Sequence, residues 1–424
     1  MEKEEIMTEE KETKAEHRGF GMADKEGKKG YGTITEEALN ALKSRIGVER
    51  VRAGKPWQIE VSRWTWSAIR AQAQACGDYN PLYWDEEYAK KSPYGTLVVP
   101  PGALYGIEQI NAATDGMPGM HALFRGLALE WYKSIVLGDI VTGKAYLTNV
   151  AVKGSQLSGQ SVIQEYDTYG YNEKGEVIGK LFTSWSRHER QAAKASHETA
   201  RQSARLLARY TPEELEKLRE DFKNQAPRRG SEIRFWEDVQ GGEELPYRVK
   251  GPTSQAQRMV GEGGGGRRGG VFAEIGGTSD WGQLHAQIWK MFERHPALPF
   301  LNDQGIPEVP VAIHNSNDWS RQYLGLPGGY DAGVQRVHWG VHLLTDWMGD
   351  HGFLRKITIR FPQTVMMGDT TWLRGKVTNK RVEDGKHIVE IDYTHENQLG
   401  HTVTAGTAEV VLVSRSDPHA KTWD

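Results

Sequence analysis

The chain has 424 residues, 38% of them hydrophobic, and a formal net charge of −3. This length suits two or three globular domains, and the small charge gives no global field that would attract nucleic acid or an anionic membrane. The single cysteine, Cys76, excludes an intramolecular disulfide framework. The N-terminus lacks the apolar stretch of a signal peptide, and no run is apolar enough to span a bilayer. We therefore expect a cytoplasmic protein that binds neither nucleic acid nor membranes.

Composition divides the chain into two large units joined by a charged segment. The N-terminal residues are rich in Glu and Lys, which is typical of a partly disordered extension, although a Thr cap followed by two glutamates predicts a helix at 35–44. In the linker, Thr211-Pro212 followed by glutamates predicts the start of another helix. The predicted segments are a charged extension (1–45), a first unit (46–190), a helical linker (191–228), a second unit (229–416) and a tail (417–424).

Both units show signals of a helix and of strands. In the first unit, the apolar spacing of 102–113 predicts a helix, whereas alternation over 140–150 and 161–169 predicts antiparallel strands. In the second unit, 235–239 reads as an edge strand and 337–348 as a helix. The predicted architecture is therefore α+β in both halves.

Turn residues recur along the chain at a fixed distance. The pairs Gly138-Asp139 and Thr148-Asn149 return 230 residues later, as Gly368-Asp369 and Thr378-Asn379. Asparagine–glycine turns at 172–175 and 397–400 each fall between alternating segments. Chance recurrence of common turn residues is the alternative, which the preserved spacing disfavours. We therefore predict an internal duplication.

The segment from Gly77 to Gly102 contains the most specific motif. It places a carboxylate, an amide and a phenol in one short turn, and a glycine at the start of a helix. This motif resembles that of the MaoC-like, (R)-specific enoyl-CoA hydratase family, in which Asp-x-Asn-Pro-x-His-x-Asp precedes the central helix. The residues that match the family pattern in order are Asp78, Asn80, Pro81, Asp85 and Ala89.

The resemblance implies a double hot-dog fold, in which each unit wraps an antiparallel sheet round a long helix, so that the chain is a pseudo-dimer. It also implies an enoyl-CoA hydratase or 3-hydroxyacyl-CoA dehydratase that acts on an acyl-CoA without a cofactor or a metal. As a partner we expect a second copy of the chain or a related subunit. The many tryptophans favour a bulky acyl group. Where the family has its catalytic histidine, this chain has Tyr83.

Three interpretations of the chemistry follow. In the first, His314 of the second unit activates water, partnered by Glu308 or Asp318, because a nearby carboxylate raises the basicity of an imidazole. In the second, Asp78 acts with Tyr83 as the proton donor, which requires a special environment for the phenol. In the third, both sites are degenerate and the chain only binds acyl-CoA or supports a partner subunit. A hot-dog thioesterase is a further alternative.

Several residues are candidates for substrate binding. The N–H of Gly102 lies at a helix start, where unpaired amides favour negative charge, and Asn80 belongs to the same motif. Arg336 could contribute a positive charge or form a surface ion pair with Asp331. A glycine-rich loop contains two arginines that could reach the phosphates of CoA, although a plain flexible loop is the simpler interpretation. The predicted binding residues are Asn80, Gly102, Tyr330, Asp331, Arg336, Arg267 and Arg268.

One helical face in the second unit carries His338, His342 and Asp346 at intervals of four residues. This spacing can chelate zinc. Core histidines that bond to carbonyls or to Asp346 explain it at least as well, because the helix of this fold is buried by its sheet. We predict no metal site.

Overall fold

The computed structural model describes residues 32–50, 63–107, 117, 120–189, 192–193, 195–196, 207–254, 300–302, 304–308 and 310–423. The α-helices in these ranges are α1 (Glu36–Lys43), α2 (Trp66–Cys76), α3 (Pro81–Trp84), α4 (Glu86–Lys91), α5 (Pro212–Lys223), α6 (Asn317–Leu324) and α7 (Val334–Met348). The strands are β1 (Glu49–Arg50), β2 (His121–Trp131), β3 (Thr142–Ser155), β4 (Gly159–Tyr171), β5 (Val177–His188), β6 (Arg248–Lys250), β7 (Phe300–Leu301), β8 (Pro307–Glu308), β9 (Phe353–Arg360), β10 (Thr371–Glu383), β11 (Lys386–Asn397) and β12 (Thr402–Leu412).

Ten of the described strands form one continuous antiparallel sheet. Its order is β1-β3-β4-β5-β2-β9-β12-β11-β10-β6, so each unit contributes five strands. The two halves join edge to edge where β2 pairs with β9, with Leu127 opposite Ile359. β7 and β8 form a separate two-stranded sheet. Helix α7 packs on β9, β10 and β12 of the second unit, which confirms the predicted α+β double hot-dog architecture.

The first unit differs from the second in its central helix. Residues Pro101–Ile107 form a 3₁₀-helix whose side chains are mostly buried. The remainder of the helix predicted at 102–113 lies outside the described residues. Helix α7 of the second unit is a regular α-helix and is buried along nearly its whole length.

The predicted duplication is visible in matching local structures. A bulge interrupts the β3–β4 ladder between Leu147 and Asn149, and another interrupts the β10–β11 ladder between Val377 and Asn379. At each bulge the threonine hydroxyl donates to the carbonyl of a glutamate on the next strand, Glu165 or Glu390. A bulge bends a strand at a fixed point. Because the bulge is repeated, the two halves of the sheet bend in the same way.

The turns repeat as well. Gly138 and Gly368 have φ values of 97° and 93°, which favour glycine, and each is followed by an aspartate that accepts a backbone N–H three residues before it. Asn172 and Asn397 each accept two backbone N–H groups within their hairpin turns. An asparagine side chain that accepts the N–H groups of a turn in place of backbone carbonyls stabilises that turn. Both predicted hairpin turns are therefore confirmed.

The predicted helix starts are also confirmed. The Thr35 side chain accepts the N–H of Ala38 at the start of α1. At α5, Thr211 and Glu214 form a reciprocal capping box, with proline at the first helical position. Of the helices in the described ranges, none has the length and apolar character that a membrane crossing requires.

The prediction of an edge strand at 235–239 is wrong. Residues Trp236–Asp238 form a short 3₁₀-helix, and Phe235 makes only an isolated bridge to Val413. The Glu237 carboxylate accepts the N–H of Arg415. Because such local side-chain bonds compete with a ladder, this segment curls against the end of β12 instead of extending beside it.

Helix α7 brings polar side chains to the junction of the two units. His338 lies against Gly102 of the first unit, so closely that a Cβ atom on Gly102 would lie 2.3 Å from the His338 Nδ1. Gln72 of α2 places its Nε2 atom 3.4 Å from the Nε2 of the same imidazole. Glycine is therefore required at 102 by packing, since no larger side chain fits beside the ring.

A buried ion network fixes the far end of α7. The Asp350 carboxylate, just beyond the helix, accepts from the Arg228 guanidinium at 2.8 Å and from the Tyr88 hydroxyl of the first unit at 2.5 Å. The side chain of Asp350 is only 1% exposed. A buried charge is tolerated only when it is paired, so this network holds α4, α7 and the segment before the second unit in one arrangement.

The contact between Gly102 and His338 predicts non-additive stability. Gly102→Ala should destabilise the protein by about 1–3 kcal/mol, the usual effect of overpacking, and His338→Ala should remove most of that penalty. The measurement is urea unfolding of both single variants and the double variant. Gly154→Ala is the control, because a Cβ atom there meets nothing within 4 Å. An equal cost of Gly102→Ala in both backgrounds would contradict the contact.

Candidate active site at the junction of the two units

Asp78 is held in place by the end of α2. Gly77 closes that helix in the left-handed conformation, with φ 59°, and turns the chain so that Asp78 enters the interior, where it is 4% exposed. One carboxylate oxygen, Oδ1, accepts the N–H of Asn80 at 3.1 Å. The side chain of Asn80 accepts the N–H of Leu82 and thereby caps α3. Asn80 thus positions the motif through its backbone contacts.

An imidazole from the other unit faces Asp78. His342 on α7 places its Nε2 atom 3.8 Å from Asp78 Oδ1 and 3.2 Å from Asp346 Oδ2. The imidazole is only partly buried, with 14% of its side chain exposed. The junction therefore brings together a carboxylate and a histidine that are far apart in sequence.

Lys250, the last residue of β6, holds the opposite side of that ring. Its Nζ atom lies 2.7 Å from His342 Nδ1, 3.4 Å from the carbonyl oxygen of Cys76 and 3.3 Å from that of Gly77. Three acceptors match the three hydrogens of an ammonium group. Assigned from these partners, Nδ1 is the acceptor and Nε2 of His342 carries the hydrogen, directed towards the two carboxylates.

Lys250 and Asp346 both have shifted pKa values. Burial lowers the pKa of Lys250, and the charge of Asp78 opposes that shift. Burial alone would raise the pKa of Asp346, but the hydrogen bond from His342, together with the charges of His342 and Arg248, lowers it to about 2. Asp346 is therefore an anion throughout the physiological range, bonded to Arg248 Nε at 2.5 Å.

The site contains a group of potential metal ligands, since atoms of Asp78, His342 and Asp346 all lie within 4.8 Å of one another. Three cationic side chains already balance the acidic ones, because Arg248 and Arg228 lie near Asp346 and Lys250 bonds His342. A divalent ion would add two positive charges to a partly desolvated site that is already balanced. The charges favour a hydrogen-bonded arrangement over a metal centre.

Gly102 presents a backbone donor beside the same helix. Pro101 has no N–H, and the first hydrogen bond of this 3₁₀-helix runs from Ala103 N to Pro100 O. The N–H of Gly102 is therefore a helix-start amide that precedes the helical bonding pattern.

Tyr83 is placed near Asp78 but is deeply buried. Its side chain belongs to the main hydrophobic core and is 2% exposed. Burial, followed by the charge of Asp78, raises the pKa of Tyr83 well above its ordinary value. The phenol consequently keeps its hydrogen, because the charge of Arg228, which lowers the pKa, only partly opposes this shift.

The predicted residues of the second unit are dispersed. His314 packs on the Tyr330 ring at a centroid distance of 4.0 Å, with Nδ1 3.0 Å from the Tyr330 carbonyl oxygen. Glu308 accepts from Asn302 at 3.4 Å, and burial raises the pKa of Glu308. Asp318 is 85% exposed and pairs with Arg321 at 3.0 Å. The structure gives Glu308 and Asp318 partners other than His314.

The backbone register also separates His314 from the family position. The carbonyl of Leu82 accepts the N–H of Val98, and the carbonyl of His314 accepts the N–H of Tyr330. His314 is therefore the counterpart of Leu82, one residue before Tyr83. His314 therefore does not occupy the position that corresponds to Tyr83, where the family has its histidine.

The remaining predicted binding residues divide into a buried pair and a loop outside the described residues. Arg336 Nε donates to Asp331 at 2.6 Å, and the side chains are only 4% and 1% exposed. Arg336 also donates to the carbonyls of Gln363 and Val403. The ion pair of the second alternative is present, but it is buried and not at the surface, and it fixes the start of α7. Arg267 and Arg268 lie outside the described residues.

Sequence reasoning singled out the spacing of His342 and Asp346 but attributed it to the core or to a metal. It missed Lys250, Arg248 and Arg228. No local pattern marks these three residues, because they reach the site only through the pairing of β6 with β10 and through the segment before it.

Comparison with known proteins agrees with this architecture. Residues 46–181 match the family described as the FAS1-like dehydratase domain region, whereas no curated protein matches the chain in sequence. In fold the chain is similar to a MaoC-like dehydratase, at 16% identity and a TM-score of 0.59, covering 88% of this chain and 100% of that one.

Two further solved structures are similar. A MaoC domain protein dehydratase from Chloroflexus aurantiacus has 10% identity and a TM-score of 0.48, with 83% of this chain and 92% of that one covered. A Mycobacterium tuberculosis protein described as having a double hotdog fold has 9% identity and a TM-score of 0.45, with 85% and 99% covered. The dehydratase-region match of residues 46–181 and the double hot-dog fold of the chain confirm the resemblance to MaoC-like dehydratases.

Proposed function

We propose that this protein adds water to an enoyl-CoA, or removes it from a 3-hydroxyacyl-CoA, at a site shared by its two units. The supporting observation is the 3.8 Å distance between Asp78 Oδ1 and His342 Nε2. At this separation a water molecule that contacts both atoms is a better partner for each than the other. The imidazole that the motif lacks at Tyr83 is thus supplied by α7.

The proton movements follow from the two atoms. In hydration, the water oxygen bonds to the β-carbon of the acyl group while one water proton passes to the Asp78 carboxylate. Asp78 then delivers this proton to the α-carbon, while the Nε2–H of His342 donates a hydrogen bond to the water oxygen and keeps its hydrogen. The Asp78 carboxylate is thereby restored, so one water is consumed and no other reactant is required. Dehydration is the same sequence reversed.

Lys250 and Asp346 act on His342 from opposite sides. The ammonium donates to Nδ1 and keeps the exchangeable hydrogen on Nε2, while Asp346 Oδ2, 3.2 Å from Nε2, orients the ring. Asp346 itself stays ionised because Arg248 bonds it. This arrangement fixes the tautomer that donates to the water oxygen.

The thioester oxygen is assigned to the N–H of Gly102. Negative charge develops on that oxygen as the β-carbon is attacked, and a preorganised backbone donor stabilises it. Asp78 and Gly102 flank α7 from the first unit, and His338, which touches Gly102, lies one turn from His342 on that helix. Donor and proton-transfer groups therefore meet at the same junction.

We propose acyl-CoA as the substrate class, without an organic cofactor or a metal, and the cytoplasm as the location. We further propose a homodimer or a complex with a related subunit. Trp64, Trp131 and Trp339 are buried core residues, so the argument for a bulky acyl group from tryptophan content rests on other positions.

A thioesterase and a binding-only subunit are the rival functions. A hydratase consumes the conjugated enoyl absorbance without releasing thiol, whereas a thioesterase releases CoA thiol from a saturated acyl-CoA. A binding-only protein does neither, although acyl-CoA raises its melting temperature. Assaying absorbance loss, thiol release and melting temperature on the same preparation separates the three.

Replacement of either site residue should abolish most activity. We expect Asp78→Asn and His342→Gln each to lower kcat by about 10²–10⁴-fold, the usual contribution of a positioned proton-transfer group, while acyl-CoA still raises the melting temperature. His401→Gln is the matched control, since His401 is exposed. An active His342→Gln variant beside an inactive His314→Gln variant would return the chemistry to the second unit.

Lys250 should determine the alkaline limit of activity. The pKa of Lys250 is lowered from the ordinary 10.5. As pH rises, we therefore expect kcat to begin to decline at a pH lower than 10.5, because the ammonium loses its proton there. In Lys250→Arg the charge persists at every accessible pH, so this limb should move to higher pH, whereas Lys250→Met should be slow throughout. Initial rates against pH provide the test, and an unchanged limb in Lys250→Arg would refute the role.

A further inference from the structure

The inner face of the second unit's sheet carries buried polar side chains that the proposed chemistry does not use. His395 on β11 stands directly opposite Thr404 on β12, and both are 0% exposed. Asn397, further along β11, is 3% exposed. A sheet that wraps a helix normally offers apolar side chains on this face, so these residues require an explanation.

Each of these side chains has at least one polar atom for which the described residues provide no hydrogen-bond partner. In the part of the chain that the structure describes, both ring nitrogens of His395, the hydroxyl of Thr404 and the amide nitrogen of Asn397 are buried without a hydrogen bond, and so is the amide oxygen of Gln335 on α7. Each such atom costs about 1–3 kcal/mol when left unsatisfied. Unpaired groups that gather at one place are typical of a site that is completed by something else.

Strand pairing and helical spacing argue that the five atoms form one cluster. His395 and Thr404 share a face because they form a cross-strand pair. The ring of Trp339 lies 6.4 Å from the ring of His395, and Gln335 precedes Trp339 by one helical turn on the same side of α7. We call Gln335, His395, Asn397 and Thr404 the inner polar cluster.

The inner polar cluster is close to the Asp78–His342 site. In the sheet, Lys250 pairs with Thr371, which in turn pairs with Asn397. Two interstrand spacings separate Lys250 from Asn397, roughly 10 Å. Because Lys250 contacts His342, the cluster lies within the length of an acyl chain that reacts beside His342.

The chemistry of the cluster favours a hydroxyl group. Burial, together with the charges of Arg336 and Lys250, lowers the pKa of His395 to about 3, so the ring is neutral and offers one donor and one acceptor. Asn397 offers a donor and Gln335 an acceptor. A carboxylate only accepts and would be opposed by the Gln335 oxygen, whereas a hydroxyl both donates and accepts.

We infer that the inner polar cluster binds a hydroxyl group carried by the acyl chain of the substrate, so that the enzyme selects hydroxylated acyl-CoA esters. This inference rests on the proposed function and narrows its substrate class. The cluster is distinct from the atoms that move protons.

The test compares straight-chain 2-enoyl-CoA esters of increasing length with their ω-hydroxy analogues. At one chain length we expect kcat/KM of the hydroxy substrate to exceed that of its apolar counterpart by about tenfold or more. Thr404→Val, which removes one hydroxyl at nearly constant shape, should reduce this preference several-fold and leave kcat/KM of the apolar substrate unchanged.

Thr407→Val is the control, because Thr407 is exposed on the same strand. Hydration with equal kcat/KM for both series, or a preference that survives Thr404→Val, would overturn the inference and leave a buried water as the partner of these atoms.

A binding measurement separates this inference from the proposed function. Saturated ω-hydroxyacyl-CoA and plain acyl-CoA are compared by the rise in melting temperature that each produces. If no enoyl-CoA is hydrated but the hydroxy ligand stabilises the protein more, and Thr404→Val removes the difference, the inference stands and the proposed function fails. If hydration occurs without any preference for the hydroxyl group, only the inference fails.

Discussion

The polar stripe of His338, His342 and Asp346 can be buried only because the first unit and β6 supply its partners. A helix enclosed by its own sheet would leave these side chains unpaired, and an unpaired buried charge is costly. Here Gln72 and Gly102 meet His338, Lys250 and Asp78 meet His342, and Arg248 meets Asp346. The two units are therefore bound to each other by the groups that form the site.

Charge balance gives this junction its chemical character. Asp78, Asp346 and Asp350 face Arg228, Arg248 and Lys250, so three acidic side chains are balanced by three basic ones around the imidazole of His342. The ion pairs at Asp346 and Asp350 fix α7. His342, whose Nε2 lies 3.8 Å from Asp78 Oδ1, is on the same helix next to these fixed groups. The residues that stabilise the junction are therefore neighbours of the residues proposed to react.

Much of the fold could be predicted from the sequence because its signals are local. The Asx turns at Asn172 and Asn397 and the bulges at Thr148 and Thr378 depend on side chains that bond their own or the neighbouring strand. The strand prediction at 235–239 was wrong because local side-chain bonds also decide the conformation there. The Glu237 carboxylate accepts a backbone N–H at the end of β12, which outweighs the sequence pattern of the segment.

The site was harder to predict because its contacts join distant parts of the chain. Asp78 was identified from its motif, but its imidazole partner lies on a helix of the other unit, where a spacing of four residues has several explanations. His314 is the imidazole that the sequence favoured, but the backbone register aligns it with Leu82, one residue before the position of Tyr83. The position of Lys250 is set by a three-residue edge strand, which is too short for a sequence pattern to predict.

The most direct test of the shared site is an experimental structure with a 3-hydroxyacyl-CoA bound to Asp78→Asn, a variant that slows turnover without changing the shape of the site. The account predicts the 3-hydroxyl oxygen within hydrogen-bonding distance of both residue 78 and His342 Nε2, with the thioester oxygen facing the N–H of Gly102. A 3-hydroxyl group beside His314, with the junction at His342 closed to the ligand, would contradict it.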